Sequence, residues 1–303
     1  MINTFPMTLL AQVDDVAVFQ TSAFSSDDTL HIEAFGSKKE QAEEKSRADY
    51  GELNLGLHVK DNATSVLNNR MRLLAAINEQ MTDISFKNEL CTQVKSLHWV
   101  SQVHGKHIYD VDATALGMEP MPADAIISQQ QGLGLAIMTA DCVPIVLYQP
   151  TSGQIAAIHA GWQGLACGVI QATVQRFRES GPISAWIGVC ISQESYEVGR
   201  QVRDQLLAGC VETQSLTASD IENFDQRYVV NSEADNADKL KINLPKLAAD
   251  QLKAAGVTLV GGLPEHCSYA DNRYYSYRRQ THLNQPATGR MALVIVRGLS
   301  AHS

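Results

Sequence analysis

Between Leu97 and Ala160 the chain strings together five short β-prone runs, LHWVSQV, DAIIS, LAIMT, VPIVLYQ and QIAAIHA, with Gly, Pro and Asp punctuation between them. So many strands in so short a stretch place a sheet at the centre of the molecule. VAVFQ at Val16 to Gln20, a run around His31 to Phe35 and a last run, MALVIVRG, supply further strands. Helical patterns surround them. DNATSVLNNRMRLLAAINEQ puts Leu67, Met71, Leu74 and Ile77 at three- and four-residue spacing behind polar capping residues, which predicts an amphipathic helix. Similar patterns cover Leu165 to Arg178, Arg200 to Cys210 and Leu244 to Ala255, with the apolar run AWIGVCI between the first two.

No repeat, low-complexity linker or composition shift marks a boundary. The expected architecture is therefore one mixed α/β domain over residues 1–303, an α+β sandwich whose central mixed sheet is flanked by helices. The strand order stays open. The charged run GSKKEQAEEKSRADYGE makes the stretch around 25–52 an exposed insertion.

At 303 residues and 45% hydrophobic content the chain is long enough to bury a sizeable core. Its formal charge of −9 argues against a surface built to neutralise nucleic-acid phosphates or anionic lipids. The beginning MINTFPMTLLAQVDD has no basic segment or cleavage signal, and no run approaches the about 18 apolar residues of a membrane span, so a cytoplasmic protein is expected. Six cysteines (91, 142, 167, 190, 210 and 267), scattered without a CxxC pair, fit that compartment as free thiols. The oligomeric state is not encoded in these patterns.

The densest reactive segment is TADCVPIVLYQPTSGQIAAIHAGWQG. Cys142 follows Asp141 at the start of one apolar strand and His159 ends the next, so a hairpin would bring the two together. Upstream, SQVHGKH offers His104 and His107 just after another strand, beside a glycine that permits a sharp turn. Zinc accepts Cys sulfur and His nitrogen, and three protein ligands leave a fourth position for water or substrate. His104, Cys142 and His159 suit that chemistry, although their gaps of 38 and 17 residues match no short zinc motif. The residue types alone equally allow a buried cysteine with two satisfied histidines, or a nucleophilic Cys142 with His159 as its base and Asp141 orienting the imidazole.

The motifs NLGLH, QVHG, DAIIS, TADCVPIVL, HAGWQG, YEVG, YYSYRRQ and TGRMALVI occur in this order from about Asn54 to Val296. Together they resemble the YfiH-like, or laccase-domain, family. The resemblance implies a metal site at His104, Cys142 and His159, and two incompatible activities: phosphorolysis of purine nucleosides with some adenosine deamination, or copper-dependent polyphenol oxidation. A multicopper oxidase needs a blue site of two His and one Cys plus the many histidines of a cluster. Nine histidines in all, with His31 and His302 in peripheral segments and no H-C-H triplet, do not meet that demand, so zinc is favoured over copper.

The expected function is thus a zinc-dependent purine nucleoside phosphorylase whose partners are purine nucleosides and phosphate. Phosphorolysis must hold phosphate, stabilise an oxocarbenium-like ribose and support the departing purine. Arg278 and Arg279 are candidate phosphate partners, Tyr274, Tyr275 and Tyr277 candidate stacking or packing rings, and Asn54 and His58 candidate hydrogen-bonding groups. His58, Asp141 and Arg278 are the catalytic candidates, and Asn54, Tyr277 and Arg279 the substrate-binding ones. Trp162 reads more readily as a packed wall than as a stacking platform. Deamination would direct water to the purine C6 carbon without the H-x-E and P-C-x-x-C signature, which is absent. Two departures from the family pattern stand out: Gln163 replaces the arginine of HAGWRG, removing a cation, and Val189 stands where proline is frequent. The alternatives are a metal-free Cys-His hydrolase or amidase, and an accessory protein with a closed structural zinc site to which His107 adds a fourth ligand.

Overall fold

The runs VAVFQ, DAIIS, LAIMT, VPIVLYQ and QIAAIHA become strands that are buried along their whole length. In the computed structural model, which describes residues 5–25, 48–88, 93–114, 120–177, 179–232 and 238–299, the strands gather into two mixed sheets and a small antiparallel one. The strand expected around His31 to Phe35, most of the insertion expected near 25–52, and the residues Cys91, Arg178 and His302 lie outside the described residues.

The first sheet runs in the order β1 (Met7–Val13), β2 (Val16–Thr21), β14 (Met291–Arg297), β6 (Leu133–Thr139) and β3 (Ser96–His98). The second runs β13 (Val257–Leu259), β9 (Ile183–Ile187), β7 (Val143–Gln149), β8 (Gln154–Ala160), β5 (Ala125–Ser128) and β4 (Ile108–Asp110). A small third sheet joins β10 (Glu197–Gly199), β12 (Lys239–Ile242) and β11 (Val229–Asn231). The sandwich is as expected, but the single central sheet is two, because consecutive strands β6 and β7 pass from one to the other.

Alternation along each strand explains why both sheets read as unbroken apolar runs. Ile145 and Leu147 of β7 face one hydrophobic cluster and Val146 and Tyr148 the other; Leu293 and Ile295 of β14 face between the sheets while Ala292 and Val294 face outward. The central strands of the two large sheets are covered on both faces, so polar residues have no position there to alternate into. The outer face of the six-stranded sheet is covered by helices α2 (Trp162–Ala166), α3 (Val169–Val174), α4 (Arg200–Thr213) and α7 (Leu244–Ala254), with α5 (Ala218–Glu222) and α6 (Phe224–Tyr228) beside them. The outer face of the five-stranded sheet is covered by α1 (Ala63–Asn88). A last short helix, α8 (Tyr277–His282), precedes β14.

The β7–β8 hairpin is tied to the other sheet through Arg297. Its Nη1 donates to Gly153 O and Gln129 O, and its Nε to Asp15. Gly153 has φ +65°, and any Cβ there would lie 2.2 Å from Arg297 Nη1, so only glycine serves.

Three sequence expectations shift. LHWVSQV forms strand only at Ser96–His98, because the side-chain amide of Gln102 then donates to Met138 O and accepts from Met138 N, filling the place of a continuing strand. The backbone is freed to make the loop that carries His104. The helix expected over Leu165 to Arg178 is two short ones, separated where Gly168 takes φ +76°. On α1 the buried face is Val66, Leu73, Ile77 and Met81, while Leu67 and Met71 are 51% and 71% exposed. The apolar count misplaced the face because polar residues interrupt the true stripe: Asn69 donates to Asn54 O, and Arg70 donates twice to Leu55 O with its guanidinium 4.2 Å from the Trp99 ring centroid.

The corrected face makes a direct test. Leu73→Ala removes a fully buried side chain and is expected to cost about 2–5 kcal/mol in urea unfolding. Met71→Ala is expected to stay within about 0.5 kcal/mol of the parent. Equal losses at the two positions would show that α1 packs on the other face.

Candidate metal centre

Strand register builds the site. In the β7–β8 hairpin Pro144 pairs with His159, so Cys142, just before β7, lies at the same end of the sheet as His159. On the other side of β8, Ala125 pairs with Ile158, and one residue further His159 N donates to Asp124 O at 2.7 Å. Asp124 is therefore held directly beside His159. The same carboxylate captures the loop after β3, accepting from the amides of Val103 (3.2 Å), His104 (2.8 Å) and Gly105 (2.6 Å). Such a run of amides on one anion forms a nest. His104 sits at its corner with φ +60°, a left-handed conformation that histidine tolerates better than most residues.

The result is a cluster of His104, Cys142 and His159 whose donor atoms all lie within 4.8 Å of one another. His104 Nε2 is 4.0 Å from Cys142 Sγ, and the two imidazoles meet edge to face with centroids 4.7 Å apart. His159 is buried, Cys142 half-buried and His104 exposed, so the cluster is closed toward the sheet and open on one side. Asp124 Oδ1 lies 2.9 Å from His159 Nδ1. That contact fixes the tautomer and leaves Nε2 free for the cluster. Gly161 completes the space: a Cβ there would come within 3.0 Å of Cys142 Sγ and 3.3 Å of His104 Cδ2.

Burial by itself would raise the Cys142 thiol, but the charge and hydrogen bonds of His159 and His104 outweigh it and pull the thiol below its ordinary range. Burial would likewise lower His159, and the Cys142 thiolate and Asp124 reverse that and raise it. For Asp124, hydrogen bonds from His159 and the loop amides overcome the burial effect and hold the carboxyl below the usual range. Both shifts favour a thiolate beside an imidazolium when no metal is bound. Two imidazoles and a thiolate suit a transition metal such as zinc or copper, and a cation binding there would take the place of the proton.

The remaining expected site residues fall into two groups. His58, on a short 3-10 turn (Leu57–Val59), and Tyr277, at the start of α8, line one depression of about 160 Å3 together with Arg290. Burial, then Arg290 and Arg70, and beyond them His104 and His159, push the His58 imidazole below its ordinary range, toward the neutral form. Asn54, Asp141, Arg278 and Arg279 are engaged within the protein. Asn54 Oδ1 accepts from Gly56 N and Arg290 N, and its Nδ2 donates to Asp61. Asp141, with φ +102°, accepts from Ser268 Oγ and Arg278 N, both at 2.7 Å, so it joins the Cys142 corner to α8 and does not orient His159. Arg278 Nη1 donates to Glu197 O and the guanidinium lies 5.3 Å from the Tyr196 ring centroid. The Arg279 guanidinium donates to the carbonyls of Ser268, Tyr269 and Tyr274.

Tyr274 and Tyr275 are buried in the core. Trp162 packs against the helical core cluster and shares a separate depression with Gln163. His107 is exposed and, among the described residues, the donor cluster contains His104, Cys142 and His159 without it. Two residues that sequence reasoning passed over complete the picture: Asp124, visible only as the first letter of DAIIS, and Arg290, within TGRMALVI.

Asp124→Asn keeps the shape and removes the charge, and is expected to weaken zinc binding about 10–100-fold in a competition titration with a chromophoric chelator. Wild-type affinity in that variant would show that Asp124 does not support the cluster. In metal-stripped protein, iodoacetamide should alkylate Cys142 well below the pH at which ordinary thiols react, since a lowered thiol keeps its thiolate as pH falls. Added zinc should protect it; a rate that only rises near the ordinary thiol range would contradict the pairing.

Residues 37–298 match the family described as "Multi-copper polyphenol oxidoreductase laccase". The chain is 32% identical over 252 residues to "Purine nucleoside phosphorylase PA4543" of Pseudomonas aeruginosa, covering 82% of this chain and 88% of that protein. It is 35% identical over 251 residues to "Purine nucleoside phosphorylase YfiH" of Escherichia coli K12, covering 81% and 86%. The crystal structure of Neisseria meningitidis protein NMB0706 superposes with a TM-score of 0.69 at 25% identity, over 97% of this chain and all of that one. The fold, the ordered motifs and these matches agree, and the chain belongs to the YfiH-like family.

Proposed function

We propose that this chain is a zinc-dependent purine nucleoside phosphorylase in which His104, Cys142 and His159 hold the ion. Its substrates are adenosine, inosine, guanosine and methylthioadenosine, and adenosine deamination is a second activity of the same site. The observation that carries the reading is the third donor: His104 Nε2 stands 4.0 Å from Cys142 Sγ on the open side of the cluster, where a cysteine–histidine dyad has no need of a second imidazole. Relatives named as purine nucleoside phosphorylases support the reaction class.

A multicopper centre fits the chain less well. Outside the cluster His98 contacts Ser96, His266 faces Asp271 and Arg273, and His282 contacts Tyr269, so the described histidines do not gather into the further sites that a multicopper oxidase needs. One bound zinc supplies Lewis-acid charge to a substrate oxygen or nitrogen.

In phosphorolysis a phosphate oxygen forms a bond to ribose C1′ while the C1′–N bond breaks, and the purine leaves with the bonding electrons and takes up a proton. Asp124 holds His159 and the His104 loop in place throughout. His58, kept toward its neutral form, has one ring nitrogen to donate and one to accept at the wall of the depression. Tyr277 offers an exposed ring to the sugar or base on the same wall. Asp141 ties the Cys142 corner to α8, and Arg278 brings positive charge to that side.

One observation favours a second reading. Cys142, His159 and Asp124 stand in the relation of nucleophile, base and orienting carboxylate, as a metal-free Cys-His hydrolase or amidase would require. Metal analysis alongside inosine and adenosine phosphorolysis separates the two. The zinc reading expects about one zinc per chain and phosphate-dependent release of free base. Both should be lost in Cys142→Ala and the activity lost on chelation. Activity that survives chelation but not thiol alkylation would establish the hydrolase instead.

A further inference from the structure

NLGLH and TGRMALVI are more than 200 residues apart in sequence and are locked together in the fold. Asn54 Oδ1 accepts from Arg290 N at 2.9 Å, and Leu55 N donates to Arg290 O at 3.0 Å. Gly56 lies against the arginine stem so closely that a Cβ would fall 2.8 Å from Arg290 Cγ. The guanidinium is seated from below as well, with Nη1 donating to Thr288 O (3.1 Å) and Gly289 O (2.9 Å). Among the described residues its Nε and Nη2 have no hydrogen-bond partner. Two parallel N–H groups on one edge of a guanidinium match two oxygens of a tetrahedral or planar oxyanion.

The neighbouring arginines are differently engaged. Arg70 gives Nε and Nη2 to Leu55 O and stacks on Trp99; Arg279 is bound to four main-chain carbonyls; Arg278 donates to Glu197 O and lies over Tyr196. Arg290 lines the depression with His58 and Tyr277, and its charge acts on Cys142 and on His58. A half-buried, pre-oriented guanidinium whose outer edge has no protein partner among the described residues keeps two parallel donors free for an anion.

We propose that Arg290, seated by Asn54 and Gly56, is the oxyanion anchor of this site, its Nε–Nη2 edge holding inorganic phosphate in the depression shared with His58 and Tyr277. The identity of the anion rests on the phosphorolysis reading; the existence of the subsite does not. Asn54 is then a positioning residue that touches no substrate, and the place of Gly56 in NLGLH follows from the arginine stem it must clear.

The test uses the full-length protein and inorganic phosphate, with phosphate affinity read by calorimetry and phosphate and nucleoside KM read separately in base release. Arg290→Gln should weaken phosphate affinity and raise phosphate KM about 10–100-fold, with nucleoside KM nearly unchanged. Arg290→Lys should fall between, because an ammonium keeps the charge and loses the fork. Gly56→Ala should shift phosphate KM in the same direction by displacing the stem, and it decides the matter if Arg290→Gln does not fold. Unchanged phosphate affinity in Arg290→Gln, or a phosphate effect carried wholly by Arg278→Gln, overturns the subsite even if wild-type phosphorolysis is robust. Arg290-dependent phosphate binding in a wild-type protein that releases no base upholds the subsite and removes the phosphorolysis reading.

Discussion

Asp124 is a carboxylate with no solvent exposure, set at the beginning of β5 where the antiparallel register with β8 brings it against His159. It accepts from one imidazole and from three consecutive loop amides, so its burial is compensated on every side. Two of the three cluster residues are held by this one anion, the imidazole of His159 directly and His104 through the amides of its loop. An unpaired buried carboxylate would be costly, which means the His104 loop and the sheet end cannot easily separate. The geometry of the cluster and the integrity of this corner of the fold are in that sense one problem.

The third donor arrives by a different route. Cys142 stands where the chain leaves the five-stranded sheet for the six-stranded one, next to Asp141 in a left-handed conformation. Asp141 is stabilised there by Ser268 and by the amide of Arg278, so the crossover corner is bound to α8. Strained corners of this kind persist only when surrounding contacts over-determine them, and they recur at functional sites. The same contact sets α8 beside the cluster and brings Tyr277 to the wall that His58 and Arg290 share.

The arrangement divides labour between buried and open groups. Asn54, Asp124 and Asp141 are hydrogen-bonded within the protein and act through what they hold. His104, His58 and Tyr277 present their surfaces outward. Residue type and proximity to a motif do not show which way a side chain faces, so the internal hydrogen bonds of Asn54 and Asp141 are not legible in the sequence. Asp124 escaped notice for the complementary reason: its partner is 35 residues away and becomes its neighbour only through strand pairing.

What the sequence determined by itself is considerable. Continuous apolar runs between turn residues dictate strands, since such segments can be satisfied only by burial in a sheet. The residue types at His104, Cys142 and His159, with the order of the motifs around them, identify the family and the donor set. The tertiary structure decided the rest. Two stacked sheets replaced one because β6 and β7 separate at a corner that no periodicity marks. The buried face of α1 was set by Asn69 and Arg70 capping a distant loop, a polar contribution that counting apolar residues misses. Asp124 and Arg290 took their places through register and long-range hydrogen bonds, and these depend on which strands become neighbours, information that local spacing does not contain.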